Sequence, residues 1–135
     1  MRFVDTNVLL YAASTAADES EKKARALEIL DGADVVLSVQ VLQEFFVQAT
    51  RASRGDQLDQ EQAIALIESW LRFPAQPMTV AIMKSAFASA ARWKISYWDA
   101  AIVEAAREAG CLTILSEDLQ DEMDFAGVRV TNPFR

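Results

Sequence analysis

The stretch Asp34-Val35-Val36-Leu37-Ser38 passes without a break into a helical pattern over residues 39–51, and that step decides the fold. β-Branched and aliphatic residues side by side, with no polar alternation, describe a strand covered on both faces. Val39, Leu42, Phe46 and Ala49 then recur at helical spacing. The same alternation continues outward. Upstream, Arg2-Phe3-Val4-Asp5 reads as a short strand running into a turn at Asp5-Thr6-Asn7, and residues 19–30 as an amphipathic helix with Ala24, Leu27 and Leu30 in line. Downstream, Asp59 caps a helix over residues 60–73, which ends at the Pro74-Ala75-Gln76-Pro77 break. Residues 79–93 and 98–109 are helical, the second stopped by Gly110. Leu112-Thr113-Ile114-Leu115 makes a third strand and Val128-Arg129-Val130 a fourth. Strands separated by helices of this length predict an α/β fold: a parallel central sheet of about four strands sandwiched by helices in three layers. Residues 1–135 are expected to form one domain.

The chain contains no histidine. That removes the commonest general base near neutral pH and the commonest zinc ligand. Paired-histidine ribonucleases and histidine-based hydrolytic triads are therefore excluded. The lone cysteine, Cys111, allows no internal disulfide and is expected as a small buried residue in a reducing compartment. Charge breaks every apolar run well short of the roughly 20 residues a membrane span needs, and Asp5 arrives too early for a signal peptide, so a cytoplasmic protein is expected.

In a parallel sheet, ligands collect beyond the carboxyl ends of the strands, where helices begin. Asp5 ends the first strand, Asp118 follows the third, and Asp99 lies in the first turn of the last long helix. Asp99 is also in line with Ile102, Val103, Ala106 and Gly110, the face turned to the core. Each acid alone has an ordinary explanation: a strand-end turn for Asp5, a helix N-cap for Asp99, an Asx-turn for Asp118. Together they crowd one sheet edge, where like charges about 4 Å apart repel by roughly 4 kcal/mol at an effective dielectric of 20. Protons or a cation must neutralise such a cluster, and all-oxygen ligation favours Mg2+ or Mn2+. Hydrolysis at phosphorus uses sites of this kind. Glu44 stands on the flank away from Val39, Leu42 and Phe46, where a solvated glutamate is the default, so periodicity does not select it.

The run Phe3-Val4-Asp5-Thr6-Asn7-Val8-Leu9-Leu10-Tyr11 resembles the opening signature of PIN-domain proteins, especially the VapC toxins of toxin–antitoxin pairs. Tyr97-Trp98-Asp99-Ala100-Ala101-Ile102 resembles their third acidic motif, Leu115-Ser116-Glu117-Asp118-Leu119 their fourth, and Val128-Arg129-Val130-Thr131-Asn132-Pro133-Phe134 their ending. The resemblance implies a Mg2+- or Mn2+-dependent endoribonuclease with Asp5, Glu44, Asp99 and Asp118 as catalytic residues. Asp5 and Asp99 would be the principal metal ligands, and Thr6, Asn7 and Ser116 would orient the carboxylates. Glu44, within Val41-Leu42-Gln43-Glu44-Phe45, enters on this resemblance alone. Many relatives carry another acid where this chain has Gln120, so a second metal site would lack a ligand. The resemblance further implies an RNA substrate, a VapB-type antitoxin and a homodimer.

Twenty acids against 13 bases, a net charge of -7, look wrong for an RNA-binding protein. The acids are unevenly spread, however. From Ser69 to Trp98 there is no Asp or Glu, while Arg72, Lys84, Arg92 and Lys94 fall there with Trp70, Trp93, Trp98 and Tyr97. Arg51 and Arg54 add charge beyond the Glu44 helix. Phosphate binding needs a local cationic surface rather than a basic whole protein, so this segregation permits RNA binding, as it permits an ordinary solvated face with tryptophans in the core. A phosphotransfer hydrolase with an aspartyl nucleophile would want an acid where Asn7 stands, and a receiver domain would want paired acids after its first strand. A catalytically silent PIN fold serving as a binding or assembly module is the alternative from another class.

Overall fold

A computed structural model describes residues 1–135. In chain order the elements are β1 (Arg2–Val4), α1 (Thr6–Ala13), α2 (Ser20–Leu30), β2 (Val35–Ser38), α3 (Val39–Ala49), α4 (Gln60–Trp70), β3 (Ala75–Gln76), α5 (Val80–Trp93), α6 (Tyr97–Glu108), β4 (Thr113–Leu115), β5 (Asp124–Phe125) and β6 (Val128–Thr131). The sheet has six strands in the order β3-β2-β1-β4-β6-β5. All neighbours are parallel except β5 and β6. The α/β architecture and parallel centre are as expected; two strands more than expected lie at the sheet edges. Each is a two-residue segment, β3 inside the proline break and β5 antiparallel on β6, too short to carry a periodic pattern.

The expected turn at Asp5-Thr6-Asn7 is instead the start of a helix. Asp5 is the N-cap of α1, its Oδ1 accepting from the Thr6 N–H at 2.7 Å. Five of the eight α1 residues are buried, so it has little polar face to betray a helical period. Caps are also set by Ser38 on α3, Asp59 on α4 (with Gln62 closing a capping box), Thr79 on α5 and Ser96 on α6. Gly110 follows α6 at φ +79°, the left-handed conformation that favours glycine.

The chain runs β1 to β2 to β3 in one direction and returns to β4 on the other side of β1. Right-handed crossovers make that reversal put α5 and α6 on the opposite face from the earlier helices. Accordingly α1 packs on α2 and α3, and α3 on α4, while α5 and α6 pack together and α6 lies across β2, β3, β4 and β6. Phe3, Val4, Val35, Val36, Leu37, Ile114 and Val130 fill the centre with Phe45, Leu9, Ile29 and Val103 from the helices. Between β1 and β4 the winding reverses, which opens a crevice beyond their carboxyl ends. No helix is long and apolar enough to cross a membrane.

Candidate active site

Asp5 leaves β1, and Ser116 and Asp118 leave β4, at that crevice. The two strand ends are joined by the Asp5 N–H donating to the Leu115 carbonyl at 3.1 Å. Asp5 is 7% exposed. Its Oδ2 accepts from Ser116 Oγ at 2.7 Å and, more distantly, from Asn7 Nδ2 at 3.5 Å. Buried Asn7 spreads its amide further, donating to Ser116 Oγ at 3.2 Å and Asp118 Oδ2 at 3.3 Å, while its own Oδ1 accepts from the Glu117 N–H. Ser116 Oγ accepts in addition from the Asp118 and Leu119 N–H groups. Thr6 Oγ1 donates to Glu44 Oε2 at 2.7 Å, and Gln40 Nε2 to Glu44 Oε1 at 2.9 Å. Thr6, Asn7 and Ser116 thus each hold an acid in place.

The helix that carries Glu44 is rotated from the sequence expectation. Gln40, Val41, Leu42, Phe45 and Ala49 are its buried residues, while Val39 is 37% exposed and Phe46 only half-buried. Leu42 and Ala49 of the expected stripe are buried, but the buried face turns from Val39 and Phe46 to Val41 and Phe45. On the true stripe Glu44 borders the core face, half-buried and turned to α1. Asp99 is not a cap: Ser96 fills that role, accepting the Asp99 N–H at 3.0 Å, which leaves the carboxylate half-buried and unpaired by any cation. A cleft of about 520 Å3 opens here, lined by Gln40, Gln43, Glu44, Val47, Gln48, Arg51, Trp98, Asp99 and Asp118.

The electrostatics record the crowding. Burial pushes the Asp5 carboxyl up to about 6; the hydrogen bonds from Ser116 and Thr6 oppose this, and the charges of Asp118 and Glu44 add to it. Burial also raises the Asp99 carboxyl, opposed by Ser96 and reinforced by Asp118 and Glu44. Glu117, beside Asp118, belongs elsewhere: burial works to raise its carboxyl, but hydrogen bonds from Lys22 and Tyr11 outweigh that and hold it low. Gln120 is exposed and brings no carboxylate. Asp121 is occupied by the Asn132 N–H and Arg135.

A family model, "PIN domain", matches residues 2–125. The chain belongs to the PIN domain family. No curated protein sequence matches it. Among solved structures, this PIN domain is similar to Mycobacterium tuberculosis VapC20, described as a Sarcin-Ricin loop cleaving toxin, at 19% identity over 87% of this chain and 92% of the other, with a TM-score of 0.68. It is similar to FitAB bound to an IR36 DNA fragment at 20% identity over 100% of this chain and 96% of the other, TM-score 0.72. VapBC2 from Rickettsia felis, bound to a DNA fragment from its promoter, matches at 14% identity over 97% of each chain, TM-score 0.66.

The oxygen-only donor set of this PIN domain suits a hard divalent ion, and the raised Asp5 and Asp99 carboxyls mark the place where a cation would be welcome. No three acidic side chains stand close enough to enclose an ion by themselves.

Of the cations singled out in the sequence, Arg51 lines the cleft. Arg54 pairs with Asp56 at 2.9 Å, Arg72 binds the Ser69 and Leu30 carbonyls, and Arg92 lies over the Trp93 ring. The tryptophans divide similarly. Trp70 is buried against Phe45 and Trp93 packs on Phe125, whereas Trp98 is 63% exposed at the cleft. The ordinary reading of that segment thus holds for Trp70 and Trp93, which pack on Phe45 and Phe125, while Trp98 is left exposed at the cleft.

Proposed function

We propose that this chain is a single-domain Mg2+- or Mn2+-dependent endoribonuclease, the cytoplasmic toxin of a toxin–antitoxin pair. It would hydrolyse RNA phosphodiesters to leave a 5′-phosphate and a 3′-hydroxyl. The observation that carries the reading is the convergence of Asp5, Glu44, Asp99 and Asp118 on one crevice, where the charges of Asp118 and Glu44 add to the cost of ionising Asp5 and Asp99.

Asp5 and Asp99 are assigned as the residues that hold the ion. When bound, the ion supplies Lewis acidity at a phosphate oxygen and lowers the pKa of the attacking water. Asp5 is held to one orientation by Thr6 and Ser116, so its carboxylate needs little reorganisation at the moment of reaction. Glu44, fixed between Thr6 and Gln40, is placed to orient or accept a proton from water. Asp118, anchored by Asn7, completes the negative rim.

VapBC2 and FitAB, whose folds this chain shares, are described as assemblies bound to DNA. They support a VapB-type antitoxin as partner, and a homodimer is the assembly proposed. The deciding experiment is cleavage of single-stranded RNA by the purified chain with Mg2+, with excess EDTA, and with Asp5→Asn or Asp99→Asn. Cleavage is expected only in the wild type with metal. Cleavage that survives EDTA and both substitutions overturns the reading, and a folded wild type with no cleavage under any divalent ion leaves the silent binding module.

A further inference from the structure

Trp98 is the one tryptophan of this chain that faces solvent, and it immediately precedes Asp99. It is not loosely held. Its ring meets Tyr97 edge-on at 4.9 Å and 80°, Tyr97 in turn rests on Phe87, and the Trp98 carbonyl accepts from buried Gln40 Nε2 at 3.2 Å. A large indole fixed at the rim of a crevice is a sequence-tolerant platform for a nucleobase, because every base presents a π-face.

The same cleft holds Arg51, which forms no salt bridge, in contrast to Arg54 three positions on. Gln43 and Gln48 add neutral amides able to donate and accept in plane, as the edges of bases require. Apart from Val47 and Trp98 the lining is polar, which favours a planar polar ligand over an apolar helix. Gln40, 5% exposed, braces this rim: its Nε2 donates to both Glu44 and the Trp98 carbonyl.

We propose that Trp98, Arg51, Gln43 and Gln48 form a nucleotide subsite beside the acidic cluster. The indole stacks one unpaired base of an RNA strand and the Arg51 guanidinium takes a neighbouring phosphate. This rests on the nuclease reading of the crevice and names the substrate form it selects: single-stranded or looped RNA, since a base inside a duplex offers no free face.

The test measures RNA binding apart from cleavage. In an Asp5→Asn background with Mg2+, poly(U), poly(A) and a fully paired RNA duplex are titrated while tryptophan fluorescence is followed. Trp98→Phe, which keeps an aromatic face, assigns the signal. Single-stranded RNA is expected to quench the Trp98 contribution, the duplex much less, and the Trp98→Phe protein to lose the quench while still binding. Trp98→Ala and Arg51→Ala should each weaken binding about tenfold, and in the cleavage-competent chain they should act on KM more than on kcat. A chain that cleaves nothing yet binds RNA through Trp98 supports the subsite while sinking the nuclease reading. Unchanged RNA affinity in folded Trp98→Ala overturns the subsite. So does sedimentation showing Trp98-dependent self-association with no RNA-dependent quench, which would assign the indole to an interface between copies.

Discussion

Ser116 Oγ donates to Asp5 Oδ2 at 2.7 Å, tying the carboxyl end of β4 to that of β1. The same oxygen accepts from Asn7 and from two backbone N–H groups of the following turn. One fully buried hydroxyl thus fixes the Asp5 carboxylate and folds the segment that carries Asp118. Because its hydrogen bond lowers the Asp5 pKa, Ser116→Ala should raise that pKa above about 6. The acid limb of the cleavage rate should then move to higher pH. Losing the hydroxyl also strands buried donors, a cost of about 1–3 kcal/mol. A pH–rate profile and a urea melt measure the two effects separately.

The raised Asp5 carboxyl makes stability depend on pH in a defined direction. Aspartates in an unfolded chain titrate near about 3.9, and Asp5 in the fold at about 6. The folded chain therefore holds this proton more tightly. The metal-free protein should lose about 3 kcal/mol from this group as pH rises from about 3 to about 7, and nothing more from it above that. Asp5→Asn removes the titration while keeping a good helix cap for α1. In EDTA at neutral pH it should melt above the wild type, and adding Mg2+ should raise the wild-type Tm far more than the variant's. A variant that melts below the wild type in EDTA would show that the Asp5 charge is not a burden on the fold.

Glu44 shows where periodicity stopped helping. The parallel sheet, and hence the meeting of Asp5 with Asp118, follows from strands alternating with helices. The position of Glu44 does not, because α3 is apolar on two flanks and only packing against α1 and α4 decides which is buried. α1 was hidden for the opposite reason: Thr6 to Leu9 are all buried, so no polar face marks a period, and Asp5-Thr6-Asn7 has the composition of a turn. Trp98 could not be told from Trp70 by composition, since exposure is set by where α6 begins. Fixed by Thr6 and Gln40, Glu44 is proposed to act through water. Glu44→Gln should then cost about 10–100-fold in activity or in Mg2+ affinity, well short of the abolition expected for Asp5→Asn. Titrating cleavage against Mg2+ separates the cases: an equal loss would make Glu44 a direct ligand.

The helix that presents Asp99 is anchored at its far end by a charge pair on which periodicity was silent. Glu104 lies on the buried side of α6, its side chain 8% exposed, accepting from Ser89 Oγ at 2.7 Å and paired with Arg107 at 3.0 Å. Arg107 also donates to the Phe125 and Ala126 carbonyls, joining α6 to the β5–β6 hairpin. Arg107→Ala leaves a buried carboxylate with one hydroxyl partner and should destabilise the protein by about 3 kcal/mol. Arg107→Lys should recover only part, because an ammonium lacks the planar fork that serves a carboxylate and two carbonyls together. Glu104→Gln, which removes the buried charge itself, should be milder than Arg107→Ala. All three lie at the end of α6 remote from Asp99, so below their melting temperatures the folded fraction should retain wild-type kcat. A kcat that falls in step with stability at low temperature would instead mean that the Glu104–Arg107 anchor sets the approach of Asp99 to Asp5.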